Sequence, residues 1–561
     1  MKLLEHHFDT AFDAPDGIKK LRELILTLAM QGKLVPQDPK SQPASGLLKE
    51  IGAEKKRLVK QGKIKEPKPI PPVSAEEMPY GLPKGWEWVR LGAVAEYNGR
   101  DNADPKDIDK DCWVLDLEDI EKTTSRLLYR AKYSERESKS TKSQFKAGDV
   151  LYGKLRPYLD KVIVANGDGV CTTEIVPIVP SKAIVAHFLR WMLKSPSFLR
   201  YVNGLMYGVK MPRLGTDDAI NSIHPLPPLY EQLRIVAKID ELMARCDALE
   251  KLRAERDAQR LAVHSTAVRQ LLNVADTDTH IQARDFLGLH FGELYTVKEN
   301  VTELRKAILQ LAVMGKLAPQ DSNDPPASVL LKQIEAEKKR LVKAGKIKEP
   351  KTMEPVLNEE MPFQIPESWN WVRLGDLGNS QTGTTPPSNN QSYYGDHIPF
   401  IGPGDIKDGS IDYSGKGLSR SGMSIARVID ADSLLMVCIG GSIGKHAINT
   451  QIVTCNQQIN TLTPYKPLPI RFLYWFASAP CFQSAVLNAS GGSATPIINK
   501  QKWSSIVTPL PPLAEQHRIF VKIDQLMSMC DILEQQIDAA RETQSALLNA
   551  MMAQYGGQRC A

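Results

Sequence analysis

The sequence lacks three features that would assign it to large classes of protein. Its 8 cysteines include no Cys-x-x-Cys pair, which argues against a structural zinc site and against a disulfide framework. Its apolar runs, such as Leu24–Met30, are far shorter than the ~20 residues that cross a bilayer. The first residues, Met1–His7, contain no apolar secretory core. We therefore expect a cytoplasmic protein with reduced thiols and no membrane partner.

Sequence signatures of catalysis are also missing. The segment Gly440–His446 resembles a phosphate-binding loop, but one residue too few separates its glycines and a histidine follows Lys445. No Gly-x-Ser-x-Gly elbow, His-Glu-x-x-His zinc helix or Asn-Pro-Pro-Tyr-like tetrapeptide occurs. The carboxylates form no persuasive nuclease cluster. The sequence therefore predicts a non-catalytic chain with no metal site and no cofactor of its own.

What the sequence does contain is ordinary globular material in a long chain. Its 561 residues are 42% hydrophobic and 24% charged, which is enough apolar material for several cores. The net charge of +6 is by itself only a weak sign of a polyanionic partner.

The chain is an internal duplication. The basic segment Ala53–Lys68 returns as Ala336–Lys351, and the two differ only at Gln61 and Ala344. Two motifs also occur twice: Trp-x-Trp-Val-Arg-Leu-Gly at 86–92 and 369–375, and Leu-Pro-Pro-Leu-x-Glu-Gln-x-Arg-Ile at 226–235 and 510–519. The stretches between these motifs, 93–225 and 376–509, share almost no residues. A duplicated frame thus carries two divergent inserts, for which we expect one fold and two different recognition surfaces.

Hydrophobic periodicity predicts the elements of each half. Helical spacing predicts helices over 18–28 and 301–311, which end at Gly32 and Gly315, and short apolar runs predict strands at 149–152, 161–165 and 433–438. After each insert, a 4-3 apolar spacing predicts a long helix, beginning at Ile235 in the first copy and covering 519–551 in the second. Two such helices would pack antiparallel as a rigid spacer. The alternative is two unrelated amphipathic helices in separate cores.

The basic segment 53–68 has two interpretations. Pro67, Pro69, Pro71 and Pro72 end any helix there and begin a linker. Its lysines and arginine form either a solvated helical face or a contact with nucleic-acid phosphates or an acidic partner.

Polar and basic turns in the inserts supply donors for nucleic acid. Arg and Lys pair with guanine edges or phosphates, Asn and Gln suit adenine edges, and Ser and Thr suit either. The candidates in the first insert are Tyr152, Lys154, Arg156, Tyr158, Lys161, Lys210 and Arg213. Those in the second are Thr384, Asn389, Asn390, Ser442, Lys445, Gln457 and Lys500. A purely structural loop is an equally good interpretation of each turn.

The whole pattern resembles the DNA-specificity subunit of a type I restriction–modification system, over nearly the full length of the chain. The order of Trp-x-Trp-Val-Arg-Leu-Gly, a divergent domain and Leu-Pro-Pro-Leu-x-Glu-Gln-x-Arg-Ile, present twice, carries the resemblance. Segments 148–158, 399–406, 441–445 and 492–496 are similar to family segments. The long leader with its basic repeat is similar to one subgroup of the family.

The resemblance implies an α+β fold. Two pseudo-two-fold-related α/β target-recognition domains would be separated by long antiparallel coiled-coil-like helices. The implied divisions are a helical leader at 1–79, recognition domains at 80–228 and 362–512, a central helical region at 229–361, and a C-terminal helix at 513–561.

The resemblance also implies partners. Each recognition domain would read one half of a split, asymmetric double-stranded DNA target in the major groove. Two modification subunits that methylate adenine with S-adenosylmethionine, and two restriction subunits that use ATP and magnesium, would supply the chemistry and hold those cofactors. Candidates for docking the modification subunits are Glu231, Gln232, Arg234, Glu515, Gln516 and Arg518. Helix-entry capping is the alternative role for these six residues.

Two rival functions stay open on the sequence. A fused methyltransferase–nuclease would have to bind S-adenosylmethionine by itself. A two-headed protein-binding scaffold would lack the steep salt dependence that phosphate contacts give to DNA binding.

Overall fold

The chain folds into two compact units that each combine helices with sheets. A computed structural model describes residues 13–61, 69–205, 211–272, 277–407, 409–492 and 495–556. Unit 1 consists of residues 1–256 and 540–561, and unit 2 consists of residues 257–539. The expected α+β class is therefore confirmed.

The helices of the two units follow one another in a similar order. Unit 1 contains α1 (Gly17–Met30), α2 (Ala44–Lys60), α3 (Leu91–Val94), α4 (Ala186–Leu193), α5 (Pro196–Leu205), α6 (Thr216–Asn221) and the start of α7 (Leu229–Leu272). Unit 2 contains α8 (Thr277–Leu289), α9 (Phe291–Leu294), α10 (Lys298–Val313), α11 (Ala327–Lys343), α12 (Arg420–Ile425), α13 (Ile470–Ser478), α14 (Pro480–Ala489), α15 (Lys500–Ser504) and the start of α16 (Leu513–Gly556). The predicted duplicated helices are confirmed as α1 and α10.

Glycine follows both α1 and α10 for a steric reason. Gly32 and Gly315 have φ of +67° and +70°, a left-handed conformation that commonly ends helices. A Cβ at Gly32 would clash with Pro83, and one at Gly315 would clash with Pro366. The two copies therefore turn in the same way into the segment that leads to the insert.

The strands of unit 1 form two sheets and a two-stranded ribbon. The strands are β1 (Glu87–Arg90), β2 (Ala95–Tyr97), β3 (Asn102–Ala103), β4 (Trp113–Leu115), β5 (Ala131–Lys132), β6 (Lys142–Phe145), β7 (Val150–Gly153), β8 (Val162–Val164), β9 (Gly169–Cys171), β10 (Ile175–Pro180) and β11 (Ile223–Leu226). The ribbon is β1-β11, and the sheets have the orders β2-β10-β7-β8 and β3-β6-β9-β4-β5. The strands predicted at 149–152 and 161–165 are confirmed as β7 and β8.

The strands of unit 2 repeat this plan. They are β12 (Asn370–Arg373), β13 (Gly378–Thr382), β14 (Tyr394–Ile401), β15 (Ile406–Lys407), β16 (Ser410–Ile411), β17 (Gly417–Leu418), β18 (Val428–Ile429), β19 (Leu434–Val437), β20 (His446–Ile448), β21 (Val453–Cys455), β22 (Ile459–Pro464) and β23 (Val507–Leu510). The ribbon is β12-β23, the sheets have the orders β13-β22-β19-β20 and β17-β14-β21-β18, and β15-β16 is a small hairpin. The strand predicted at 433–438 is confirmed as β19.

The two inserts share one fold although they share almost no residues. The antiparallel order β2-β10-β7-β8 corresponds strand by strand to β13-β22-β19-β20. The second sheets also correspond, because each contains one parallel pair, β4 with β9 in unit 1 and β14 with β21 in unit 2. The expectation of one fold for both inserts is therefore confirmed.

The two units use different side chains at corresponding positions of their cores. Tyr152 lies opposite Val162 in the β7-β8 register, and Met436 lies opposite His446 in the β19-β20 register. Ahead of the last ribbon strand, the small Ala219 of α6 stands where α15 has Trp503, and both are fully buried. Met436 is somewhat smaller than Tyr152 and Trp503 is much larger than Ala219, so each core is filled by its own combination of side chains.

Each long helix has 44 residues, more than the predicted seam. At 1.5 Å per residue this is roughly 66 Å. The apolar pattern of α7 fails after Leu249, but the helix continues because Arg253 donates to the carbonyl of Ala14 at 2.8 Å and Arg256 pairs with Asp13 at 3.3 Å.

The two long helices each contribute to both units. Residues 257–272 of α7 belong to unit 2, and residues 540–556 of α16 belong to unit 1. In unit 2, Ala267 and Val268 share an apolar cluster with Cys530 and Ile537. In unit 1, Leu548 and Met551 cluster with Ala14. We call residues 257–272 and 540–556 the exchanged tails.

Among the described residues, no helix is both long and apolar enough for a membrane span.

Candidate nucleic-acid interface

The turn between β7 and β8 presents the basic residues of the first recognition domain. The amide of Gly153 donates to the carbonyl of Lys161 at 2.9 Å and closes the turn. Between them, Arg156 and Tyr158 are exposed, and Tyr158 keeps 50% of its surface in solvent. Lys154 is half-buried. The turn therefore offers cations and an aromatic ring to a ligand.

A second basic turn is held against the first one. The amide of Arg156 donates to the carbonyl of Pro212 at 2.8 Å, and the amide of Leu214 donates to the carbonyl of Lys154 at 3.0 Å. This pairing brings Arg213 beside the first turn, where it forms an ion pair with Glu174 at 3.0 Å. The structure thus joins two segments that are far apart in the sequence.

The structure corrects the prediction for Tyr152. Its side chain is only 2% exposed and packs edge-on against Phe198, with ring centroids 6.0 Å apart. It belongs to the core and cannot reach a base. Lys161 is half-buried and donates to the carbonyl of Leu117 at 2.7 Å, so its first role is to brace the turn. Lys210 lies outside the described residues.

The second recognition domain has the same turn framework. The amide of Val437 donates to the carbonyl of Lys445 at 2.8 Å, and the amide of Gly440 donates to the carbonyl of Pro496 at 2.9 Å. These bonds match those of Gly153 and Arg156 in unit 1. Ser442 therefore stands where unit 1 has Tyr158, and Lys445 stands where unit 1 has Lys161.

A neighbouring loop brings further polar candidates to this framework. Thr384 donates its amide to the carbonyl of Cys455 at 2.9 Å, and the amide of Gln457 donates to Thr385 Oγ1 at 3.3 Å. The next carbonyl, that of Gln458, accepts from the amide of Cys438 at 2.8 Å. Thr384, Gln457 and the 438–445 turn therefore form one polar surface.

The remaining candidates of unit 2 are exposed. Asn389 lies in an exposed loop, and Asn390 accepts from the amide of Ser392 at 3.1 Å and so caps a turn. Lys500 opens α15, and its ammonium donates to the carbonyl of Ser380 at 3.4 Å.

Two left-handed residues that the sequence prediction missed shape the first turn. Arg156 has φ of +49° and Asp160 has φ of +53°, which costs a residue with a Cβ roughly 1–2 kcal/mol. The equivalent residues of unit 2 are Gly440 and Gly444, with φ of +81° and +88°. The shared backbone thus appears in unit 1 without the glycines that would have signalled it.

A buried ion pair holds the end of the first turn. The Lys194 ammonium lies 2.5 Å from Asp160 Oδ2, and both side chains are largely buried. Burial raises the pKa of Asp160 to about 6, so its carboxylate is still mainly ionised at pH 7. No sequence signal marks Lys194, because it follows an apolar helix and has no motif around it.

The structure corrects four of the six docking predictions. Glu231, Gln232, Glu515 and Gln516 are each at most 1% exposed. Gln232 donates to the carbonyl of Ala183 at 2.8 Å and accepts from the amide of Val185 at 2.8 Å. Such residues fix the entry of the long helix against its own recognition domain and cannot touch a partner.

The glutamates at the two helix entries have matching partners. Glu231 accepts from Gln37 at 2.8 Å, and Glu515 accepts from Gln320 and, at 2.9 Å, from Trp369 Nε1. Burial raises the pKa of both carboxyls. Of the other two docking candidates, Arg234 is exposed and Arg518 pairs with Asp324 at 2.6 Å.

Across the part of the chain that the structure describes, no group of three or more His, Cys, Asp or Glu side chains is arranged to hold an ion.

Comparison with known proteins defines the class. Residues 366–541 match the family model of the type I restriction modification DNA specificity domain. These residues contain the second recognition domain and the first part of α16.

Full-length relatives extend the match to the whole chain. The chain is 35% identical to the type I restriction enzyme EcoAI specificity subunit of Escherichia coli, over 95% of this chain and 93% of that protein. It is 33% identical to the EcoEI specificity subunit of Escherichia coli, again over 95% and 93%. The chain therefore belongs to the family of type I restriction enzyme specificity subunits, which are non-catalytic DNA-recognition subunits.

One solved structure overlaps the chain in part. A chain from a structural study of complex assembly and conformational transition of the type I R-M system is 20% identical, with a TM-score of 0.49. The alignment covers 85% of this chain and 99% of that one.

Proposed function

We propose that this specificity subunit reads a bipartite, asymmetric double-stranded DNA target, with one half-site for each recognition domain. The contacts in the major groove come from the turns at 154–160 and 211–214 in unit 1, and from 438–445 and the adjoining 383–390 loop in unit 2. Base edges in that groove present donor and acceptor patterns that Arg, Lys, Asn and Gln can distinguish.

One observation carries this proposal. The two recognition domains hold the same turn with the same backbone hydrogen bonds, but Arg156 and Tyr158 are replaced by Gly440 and Ser442. A shared backbone supports a shared mode of docking on DNA. Different residues on that backbone support different sequences in the two half-sites, and hence an asymmetric target.

The subunit would act within a larger complex. We infer that two modification subunits and two restriction subunits dock on the duplicated helical frame, in the cytoplasm, and that they hold S-adenosylmethionine, ATP and magnesium. The two frames are nearly identical around Trp86 and Trp369, so they suit two copies of one partner. Arg234 is exposed and forms no salt bridge among the described residues. We retain it as a docking candidate together with Arg518.

Selection from random duplex DNA tests the proposal. The chain would be purified together with its modification subunits, and bound duplexes would be sequenced after several rounds. We expect two short conserved blocks separated by a gap of fixed length, and an affinity that falls steeply with salt. A single undivided block, or no enriched sequence, would contradict the proposal.

An exchange of inserts provides the second test. Replacing residues 93–225 with the corresponding insert of the EcoAI relative should change one block of the selected target and leave the other block intact. The reciprocal exchange of residues 376–509 is the matched control, since it should change only the other block. A change in both blocks after either exchange would show that the domains do not read separately.

A further inference from the structure

The two equivalent turns reach one backbone shape by different means. In unit 2 the left-handed positions are occupied by Gly440 and Gly444, which adopt positive φ freely. In unit 1 the same positions are Arg156 and Asp160, which do not. The first turn therefore needs an outside interaction to keep the conformation that the second turn adopts without help.

Lys194 supplies that interaction from the end of α4. Its ammonium donates to Asp160 Oδ2 at 2.5 Å and to the Asp160 carbonyl at 3.0 Å. It also donates to the Thr123 carbonyl and to Ser125 Oγ, both at 2.8 Å. Ser125 in turn donates to the Asp160 carbonyl at 2.7 Å. A single buried cation thus ties the turn to the neighbouring 121–126 loop.

Unit 2 has a different residue at this place. The residue equivalent to Lys194 is Ser478, whose hydroxyl lies 2.8 Å from His446 Nε2. The equivalent of Asp160 is Gly444, which has no side chain to clamp. The ion pair therefore occurs where a side chain occupies the left-handed position and is missing where glycine does.

The contacts between Lys194 and Asp160 bear directly on the two residues of this turn that would face DNA, Arg156 and Tyr158. Asp160 and Arg156 bracket the short 3-10 turn Pro157–Leu159, so a shift of Asp160 moves both Arg156 and Tyr158. We propose that Lys194, acting through Asp160, is a positioning residue that sets the sequence specificity of the first recognition domain and leaves the second unaffected. This inference rests on the proposed function, because it concerns the same DNA-contacting turn.

The experiment measures discrimination at each half-site separately. The full chain, assembled with its modification subunits, is titrated with fluorescent duplexes that carry the selected target, the target with the first half-site changed, or the target with the second half-site changed. The ratio of Kd values for changed and selected duplexes gives the discrimination at each half-site. This ratio does not depend on how much of the protein is active.

The decisive variant is the double substitution Lys194→Met with Asp160→Asn. It removes both charges together, so no buried charge is left unpaired, and it keeps a residue with a Cβ at the left-handed position 160. We expect discrimination at the first half-site to fall at least tenfold, with no change at the second half-site. Lys194→Arg, which keeps the charge, should retain part of the discrimination. Ser478→Ala is the control in unit 2 and should leave the first half-site unchanged.

The outcomes separate the inference from the function on which it rests. If the double variant melts within a few degrees of the parent and keeps full discrimination at both half-sites, Lys194 is only a structural residue and the inference is wrong. A loss at both half-sites would also overturn it. If the parent complex itself shows no half-site preference, the proposed function fails instead. If the double variant does not fold, Lys194→Arg alone, which keeps the charge but not the bond geometry of the ammonium, must reduce discrimination at the first half-site or the inference is wrong.

Discussion

Arg156 is exposed in the first turn, and its backbone amide and carbonyl are both hydrogen-bonded. A guanidinium can bind a guanine edge through two hydrogen bonds, which contributes about 1–3 kcal/mol of discrimination between bases. We expect Arg156→Ala to reduce discrimination at the first half-site by tenfold or more, as measured by anisotropy with matched and changed duplexes.

The control for this prediction removes the same charge elsewhere. Arg245 lies on α7 and forms an exposed ion pair with Glu241 at 2.7 Å. Arg245→Ala should weaken binding to all duplexes equally, or not at all. An equal loss from both substitutions would mean that Arg156 acts only through its charge.

His224 gives unit 1 a sensitivity to acid. It is buried in β11, with Nε2 lying 2.8 Å from Ser222 Oγ, and burial lowers its pKa to about 3. The unfolded chain binds a proton near pH 6.5, whereas the folded chain keeps this ring neutral. Stability is therefore lost as the pH falls from about 6.5 towards 3, on the order of 2 kcal/mol at pH 5.

Unit 2 supplies the variant that tests this prediction. Val89 pairs with His224 in β1-β11, and Val372 pairs with Thr508 in β12-β23, so Thr508 occupies the equivalent place. We expect His224→Thr to flatten the fall of unit 1 stability between pH 7 and pH 5, as followed by thermal melts. An unchanged pH dependence would exclude His224 as its source.

At the scale of elements, we can predict how the core of unit 2 responds to changes at Met436 and Trp503, the positions that correspond to Tyr152 and Ala219 in unit 1. Trp503 is fully buried and its Nε1 lies 3.2 Å from the sulfur of Met436. We expect Trp503→Ala to destabilise unit 2 by about 3–5 kcal/mol, because it leaves a large cavity. Adding Met436→Tyr recreates the pair that unit 1 has at 152 and 219, and should recover part of the loss. A double variant no more stable than Trp503→Ala would show that the two cores are filled independently.

The elements were largely predictable from the sequence because they depend on local pattern. The spacing that gives α1 and α10, and the apolar runs of β7, β8 and β19, are signals that a few neighbouring residues carry. The extension of α7 past Leu249 was not predictable, because it depends on Arg253 and Arg256 meeting residues near Ala14. The buried state of Glu231 and Gln232 was missed for the same reason, since their partners lie far away in the chain.

The candidate interface was predicted only in part. Arg156, Tyr158 and Arg213 are exposed on paired turns, as a binding role requires, and Ser442 is half-buried on the equivalent turn of unit 2. The sequence alone could not distinguish the burial of Tyr152 from the exposure of its neighbours. The role of Lys194 could not be predicted, because it depends on a left-handed backbone at Asp160. A glycine in the sequence would have indicated that conformation, but position 160 has none.

At the scale of the whole molecule, the exchanged tails predict how fragments behave. Val268 lies in the tail that serves unit 2, and Met551 lies in the tail that serves unit 1. A fragment 1–272 lacks residues 540–556, which pack against Ala14. It still carries residues 257–272, which belong to unit 2 in the full chain. We expect two copies to supply each other's missing segment, so that the fragment is a dimer by light scattering.

The shorter fragment 1–256 is the matched control. It has neither tail and should be a monomer of lower stability. A monomeric fragment 1–272 that is as stable as the full chain would contradict this account of the tails.

The tail at residues 540–556 therefore stabilises unit 1, although most of unit 1 is formed by the first half of the sequence. A truncation just before residue 540 would leave every strand of the second recognition domain in place. It would, however, remove the tail that packs against Ala14 in unit 1. Such a truncated protein should misread one part of its target while still recognising the other.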